Sequence, residues 1–150
     1  MASPTVCFTP KLFFWNIDAN VGIGSPNRTD DVQLVQLGYH CMSKGSDPRI
    51  TPQLKVIFAA VVPGAPYGGS LQDPLSIAIR AHERSRGGTQ DGHVSVIKSA
   101  TGSYSASSTY MLTALDVQIR QQIPNDYPRL DKHPMCPPAL RSAVVKACMG

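Results

Sequence analysis

The sequence predicts a mainly α-helical domain: short helices joined by long loops and packed around one core. Three observations point there. Apolar residues recur at helical spacing in several separate stretches. Two of those stretches open on a capping residue followed by proline, at Thr51-Pro52 and Asp73-Pro74. With 13 Pro and 12 Gly in 150 residues, the chain is interrupted too often for a bundle of long helices. Hydrophobic residues make up 42 % and charged residues 16 %. That is enough apolar material for a core, with too little charge to hold the chain open. One domain, 1–150, is expected.

Residues 1–18 alternate loosely (Val6, Phe8, then Leu12 to Trp15) and suggest one extended segment. Val21 to Arg28 is rich in turn residues. Thr29 or Asp30 is positioned to cap a helix running to about Cys41, and Asp31 suits the positive end of its dipole. Val32, Val35 and Tyr39 form one stripe of this helix; Leu34, Leu37 and Cys41 form the next. Gly38 interrupts it at a cost of up to ~1 kcal/mol against alanine. After a loop, Thr51-Pro52 opens a second helix carrying Leu54, Ile57, Phe58 and Val61 as far as Pro63.

A connector follows, and Asp73-Pro74 opens a third helix with Leu75, Ala78, Ile79 and His82 on one face, closed by Gly87-Gly88. Residues 89–108 read as loop, with Val94 to Ile97 either a short strand or an apolar anchor. A fourth helix is expected from Ser107 to Ile123, striped by Met111, Ala114, Leu115, Gln118 and Ile119. Residues 125–138 hold four prolines and should wrap the surface. Pro137-Pro138 then starts a last helix with Leu140, Val144, Ala147 and Cys148 inward.

Two segments carry a family pattern. The run Gly24 to Gln36, with Pro26-Asn27, Asp31-Val32 and Gln36, is similar to a Gly-x-Pro-Asn loop followed by an Asp-Val-x-x-Leu-Gln helix. The run Ile77 to Val94, with Asp91-Gly92 as its turn, is similar to an Ala-Val-x-x-Phe-Gln helix that leads through Asp-Gly to a last helix, here matched at Ser108 to Leu115. Together they resemble the peptidoglycan-binding-like domains over roughly a third of the chain. His82-Glu83 stands where that family has Phe-Gln, and a longer stretch, 43–70, replaces its short first link.

The resemblance implies a three-helix core within 29–123 carrying the insertion 43–70. Residues 1–28 form an N-terminal extension, and residues 124–150 a C-terminal extension and helix. It also implies a non-catalytic binding module with its ligand in a shallow groove beside the helices. Mapped onto this chain, the candidate ligand-binding residues are Arg80, His82, Glu83, Arg84 and Asp91. The expected ligand is peptidoglycan or a cell-wall peptide; the alternative is a protein partner, with the chain a structural or adaptor component of a phage-like or secretion assembly. His82 either hydrogen-bonds a carbonyl in the core or lines that groove.

Other chemistry finds little footing, so no catalytic residue, metal or cofactor is expected. His40-Cys41 point to different faces of a helix, and His133 with Cys136 is one ligand pair where structural zinc wants two. No Gly-x-Ser-x-Gly elbow occurs, and Gly22-x-Gly24 lacks the lysine of a phosphate loop. Asp30, Asp31, Asp73 and Asp91 have structural roles as caps and turns, which leaves few acids for glycoside cleavage. A Cys–His pair across the fold stays open, as a weaker reading in which the chain is a small effector or toxin, although Cys41 and Cys148 lie on apolar stripes that favour burial.

The net charge of +4 favours anionic partners mildly, but Arg80, Arg84 and Arg86 are the one basic cluster, and nucleic acid is not expected. No stretch is apolar enough to span a membrane. Met1 to Pro10 lacks the basic start of a signal peptide. A cytoplasmic location as synthesised, or export without a cleaved signal, is therefore expected, with the four cysteines reduced by default. A Cys7–Cys148 closure remains conceivable on position alone.

Overall fold

The computed structural model describes residues 3–9, 12–87, 90–97 and 111–149. Their order is β1 (Ser3–Thr9), β2 (Leu12–Asn16), β3 (Val21–Gly22), α1 (Thr29–Lys44), α2 (Pro52–Ala59), α3 (Pro74–Arg86), β4 (His93–Val94), α4 (Met111–Gln122), a 3-10 turn (Leu130–Lys132) and α5 (Pro138–Met149). The protein is mainly helical. Helix α1 is its axis: Asp31 to Tyr39, Cys41 and Met42 are all buried. Both predicted stripes point into the core because α2, α4 and α5 pack around the helix.

Gly38 marks a close approach of α1 to α4. A Cβ there would lie 2.6 Å from Leu115 Cβ of α4, so the glycine that weakens α1 locally is what lets α4 seat against it. On α4 itself Leu112, Leu115 and Ile119 are buried together with Thr113, Asp116 and Gln118. The expected start at Ser107 lies outside the described residues.

Helices α2 and α3 begin where their caps predict. Thr51 Oγ1 accepts the Leu54 N–H at 3.2 Å, and Asp73 Oδ1 accepts the Leu75 N–H at 2.8 Å. Helix α2 stops at Ala59, earlier than the Pro63 limit, and Val61 is buried in the turn beyond it. Helix α3 closes on Gly87, left-handed at φ 71°.

Four expectations are corrected. The N-terminal segment is not one strand: β1 and β2 form an antiparallel pair, and Phe14, Trp15 and Ile17 enter the core. At α1 the cap position falls on Arg28 with no side-chain cap, and the helix runs past Cys41 to Lys44. Asp31 instead turns inward, where it accepts the N–H groups of Asp18 and Ala19, each at 3.2 Å. The proline-rich stretch after Pro124 does not simply wrap the surface, since Leu130, Asp131, His133 and Cys136 are buried. On α5 Leu140, Ala143 and Val144 face inward while Ala147 and Cys148 are exposed, because the helix outruns the core it covers.

The stretch at Val94 is a short strand. β4 pairs antiparallel with β3, Val21 opposite Val94 and Gly22 opposite His93. The approach is so tight that a Cβ at Gly22 (φ 140°) would collide with the Gly92 and His93 backbone. Asn16 extends this seam by accepting the Ile97 N–H at 3.0 Å and donating to its carbonyl at 2.9 Å.

Candidate functional site

The polar residues of the two motif segments are fastened to backbone elsewhere in the chain. Asn27, with φ at 52°, accepts the Gly22 N–H at 2.8 Å and donates to the Gly22 carbonyl at 2.9 Å. One side-chain amide thus stands in for a strand neighbour. Gln33 Oε1 accepts the Leu140 N–H at 2.9 Å, satisfying an orphan donor at the start of α5. Gln36 donates to the Ala65 carbonyl and accepts the Gly64 N–H, both at 2.9 Å, which holds the connector after α2 against α1.

The five predicted ligand residues separate into two groups. His82 is 4 % exposed, with Nδ1 2.9 Å from the Tyr39 hydroxyl and its ring edge-on to Tyr39 and Phe58. Its partner is a phenol, not the expected carbonyl, and it faces no solvent groove. Burial, with Arg86 adding to it, pushes its pKa down to about 3, so the ring is neutral. Glu83 is also buried, and its two oxygens accept the N–H groups of Asp91 at 3.0 Å and Gly92 at 2.9 Å. Burial raises its pKa against those two bonds.

The other three are at the surface. Asp91 is exposed and lies 3.3 Å from His93 Nε2. Arg80 and Arg84 are exposed on α3, and no carboxylate among the described residues pairs with either. They share a strip with Ile77, since i, i+3 and i+7 fall on one side of a helix. Exposed apolar side chains also occur between positions 56 and 77. Val56 is 73 %, Val62 57 %, Leu71 53 % and Ile77 43 % exposed. A signal existed for Val56, which lies off the 54, 57, 58, 61 stripe of its helix.

The cysteines offer one close pair. Cys41 Sγ lies 3.5 Å from His133 Nε2, so the fold pairs His133 with Cys41 and not with Cys136, whose sulfur faces the Pro137 carbonyl at 3.8 Å. His133 Nδ1 accepts the Met135 N–H at 3.0 Å. The proton of the neutral ring is therefore on Nε2, which donates toward sulfur. A thiol-activating histidine needs the opposite polarity, with Nε2 free to take the thiol proton. Burial pushes the Cys41 thiol up to about 12, which leaves it protonated and inert.

Cys41, Cys136 and Cys148 are free thiols; the side chain of Cys7 lies outside the described residues. Among the described residues no three of His, Cys, Asp and Glu are grouped to hold a metal ion, and no helix is long and apolar enough to cross a membrane.

A further buried carboxyl, Asp116, lies on α4. It is 1 % exposed, and neither carboxyl oxygen has a hydrogen-bond partner among the described residues. The Trp15 backbone is close enough to soften the cost of ionisation without meeting hydrogen-bond geometry, yet burial still drives the pKa well above the carboxylate range. A readable signal was the spacing 112, 115, 116, 119, which puts the carboxyl on the buried strip of α4. Compared with family models, curated proteins and solved structures, the chain matches none of them.

Proposed function

We propose that this chain is a non-catalytic module that binds a protein partner, in a structural or adaptor role, through the outer face of α2, the connector and α3. The carrying observation is the exposure of Val56, Val62, Leu71 and Ile77, together with Arg80 and Arg84 on the Ile77 side of α3, which meet no carboxylate among the described residues. Exposed apolar side chains rimmed by charge favour association. The Cys41–His133 pair has the wrong polarity for a nucleophile, and His82 and Glu83 are occupied inside the fold. Among the helices α3 packs mainly on α2, the helix of the 43–70 stretch, and reaches α1 through the bond from His82 to Tyr39.

A cell-wall ligand is the second reading. It is favoured by Arg80 and Arg84, whose guanidinium forks suit the carboxylates of a stem peptide. Two measurements separate them. A photo-crosslinking residue at position 56 or 77, in cells that make the protein, should yield one discrete protein adduct, and the same residue at Lys44 should yield none. Purified sacculi should leave the protein in the supernatant at low salt. Co-sedimentation that disappears in an Arg80→Ala/Arg84→Ala variant, together with no adduct, would hand the surface to the cell wall.

A further inference from the structure

Asp91 is the one Asp or Asn in the chain that a glycine follows. An aspartyl-glycyl bond can rearrange without an enzyme. The glycine nitrogen attacks Cγ of the protonated aspartate, an N–Cγ bond forms, and the amide hydrogen and the carboxyl hydroxyl leave together as water. A water molecule then opens the cyclic imide at the main-chain carbonyl. The nitrogen keeps its bond to Cγ, so the main chain now runs through Cβ and Cγ as isoaspartate. Glycine favours the attack because it has no side chain to hinder its nitrogen, and Asp91 is exposed to the water that the second step consumes. We propose that Asp91–Gly92 is a site of spontaneous isomerisation, and that Glu83 keeps it closed while the chain is folded.

The buried Glu83 holds the peptide by its nucleophile. The Gly92 N–H donates to Glu83 Oε1 at 2.9 Å, and the Asp91 N–H donates to Oε2 at 3.0 Å. Attack on Cγ requires the Gly92 nitrogen to give up that hydrogen, and a carboxylate beside it opposes the negative charge that develops. The Asp91 carboxyl is drawn forward along the chain. Its Oδ1 accepts the His93 N–H at 3.1 Å, and its Oδ2 lies 3.3 Å from His93 Nε2. The Gly92 carbonyl accepts the Ile23 N–H at 3.2 Å, which fixes the glycine from its other side. Rearrangement would add a carbon to the main chain just before the pair Gly22 and His93. A Cβ at Gly22 already collides with the Gly92 and His93 backbone, so the β3–β4 pairing has no room for it.

The test ages the whole protein at neutral pH and body temperature. Isoaspartate at position 91 is counted by enzymatic methylation and by fragmentation mass spectrometry of the peptide that contains it. The folded parent should isomerise about tenfold or more slowly than the same chain in guanidinium chloride, because the reaction waits for the turn to open. Glu83→Gln removes the charge and turns an amide NH2 toward one of the two N–H groups, so its rate should approach the unfolded one. Gly38→Ala, at the contact of α1 with α4, should age as the parent does. Circular dichroism shows whether each variant is folded. If Glu83→Gln does not fold, hydrogen exchange of the Gly92 amide in the parent takes its place, and isomerisation should accelerate with denaturant only in step with that exchange. A folded parent that isomerises as fast as the unfolded chain would overturn the inference. So would a folded Glu83→Gln that stays as slow as the parent, equal acceleration in Gly38→Ala, or isomerisation that runs ahead of Gly92 exchange.

Discussion

Replacing Asp116 with asparagine isolates a buried carboxyl that burial holds far from its ordinary titration. The carboxyl is buried with no hydrogen-bond partner, so the native state holds it protonated and its pKa lies well above the ordinary 3.8. In the unfolded chain the same group loses its proton near 3.8. Between those two values the native state binds one proton more than the unfolded state. Stability therefore falls as pH rises, by about 1.4 kcal/mol per pH unit. Over whatever span above 3.8 the buried carboxyl keeps its proton, each pH unit removes that amount, and one or two units are already a sizeable part of a typical domain's stability.

Asparagine keeps the shape and removes the titration, at the cost of an unpaired amide of about 1–3 kcal/mol that does not vary with pH. Urea unfolding of both proteins across that range supplies the assay, with the difference curve as its readout. Burial also raises Glu83 and Asp31, but both proteins share those shifts and they cancel in the difference. The variant should be the less stable at acid pH and gain steadily on the parent as pH rises. A difference curve that stays flat would mean that Asp116 is charged and partnered in the native state, and the argument would fail.

His82 should behave in the opposite sense. Its folded pKa is about 3 against 6.5 unfolded, so its stabilising effect is complete above 6.5 and is lost as pH falls toward 3, again at about 1.4 kcal/mol per unit. Proton NMR should show its ring signal unmoved down to about pH 4, and a midpoint near 6.5 would place the ring in water. Gly38→Ala should destabilise by roughly 1–2 kcal/mol in thermal or urea unfolding. The 2.6 Å clash with Leu115 Cβ outweighs the ~1 kcal/mol that alanine adds to the helix, and a stabilised variant would show that α4 can shift aside. Under native conditions iodoacetamide should modify Cys148 while sparing Cys41 and Cys136, as read by peptide mass spectrometry. Fast labelling of Cys41 would contradict both its burial and its raised pKa.

What the sequence disclosed follows the range of the interaction involved. The caps at Thr51 and Asp73 and the stop at Gly87 depend on residues two or three apart, and all three are legible. Asp31 reads locally as a dipole partner, yet it bonds the backbone at 18 and 19, because the N-terminal hairpin folds back over the start of α1. The stripes of α1 are correct, but the exposure of Val62 and Leu71 in the connector has no local spacing behind it. The spacing of α4 puts Asp116 on the buried strip, but that its carboxyl finds no partner there, and that Glu83 meets the Asp91 and Gly92 amides, are facts of packing.

The same distinction bears on the motif residues themselves. Asn27, Asp31, Gln33, Gln36 and Glu83 each satisfy backbone groups in other segments of the chain. Replacing any one would orphan a donor or acceptor that is buried or nearly so, at about 1–3 kcal/mol. Residues spent in this way constrain how helices and loops join and leave the outer face free to vary. A resemblance carried by such residues rests on contacts within the chain, whereas Arg80 and Arg84 meet solvent.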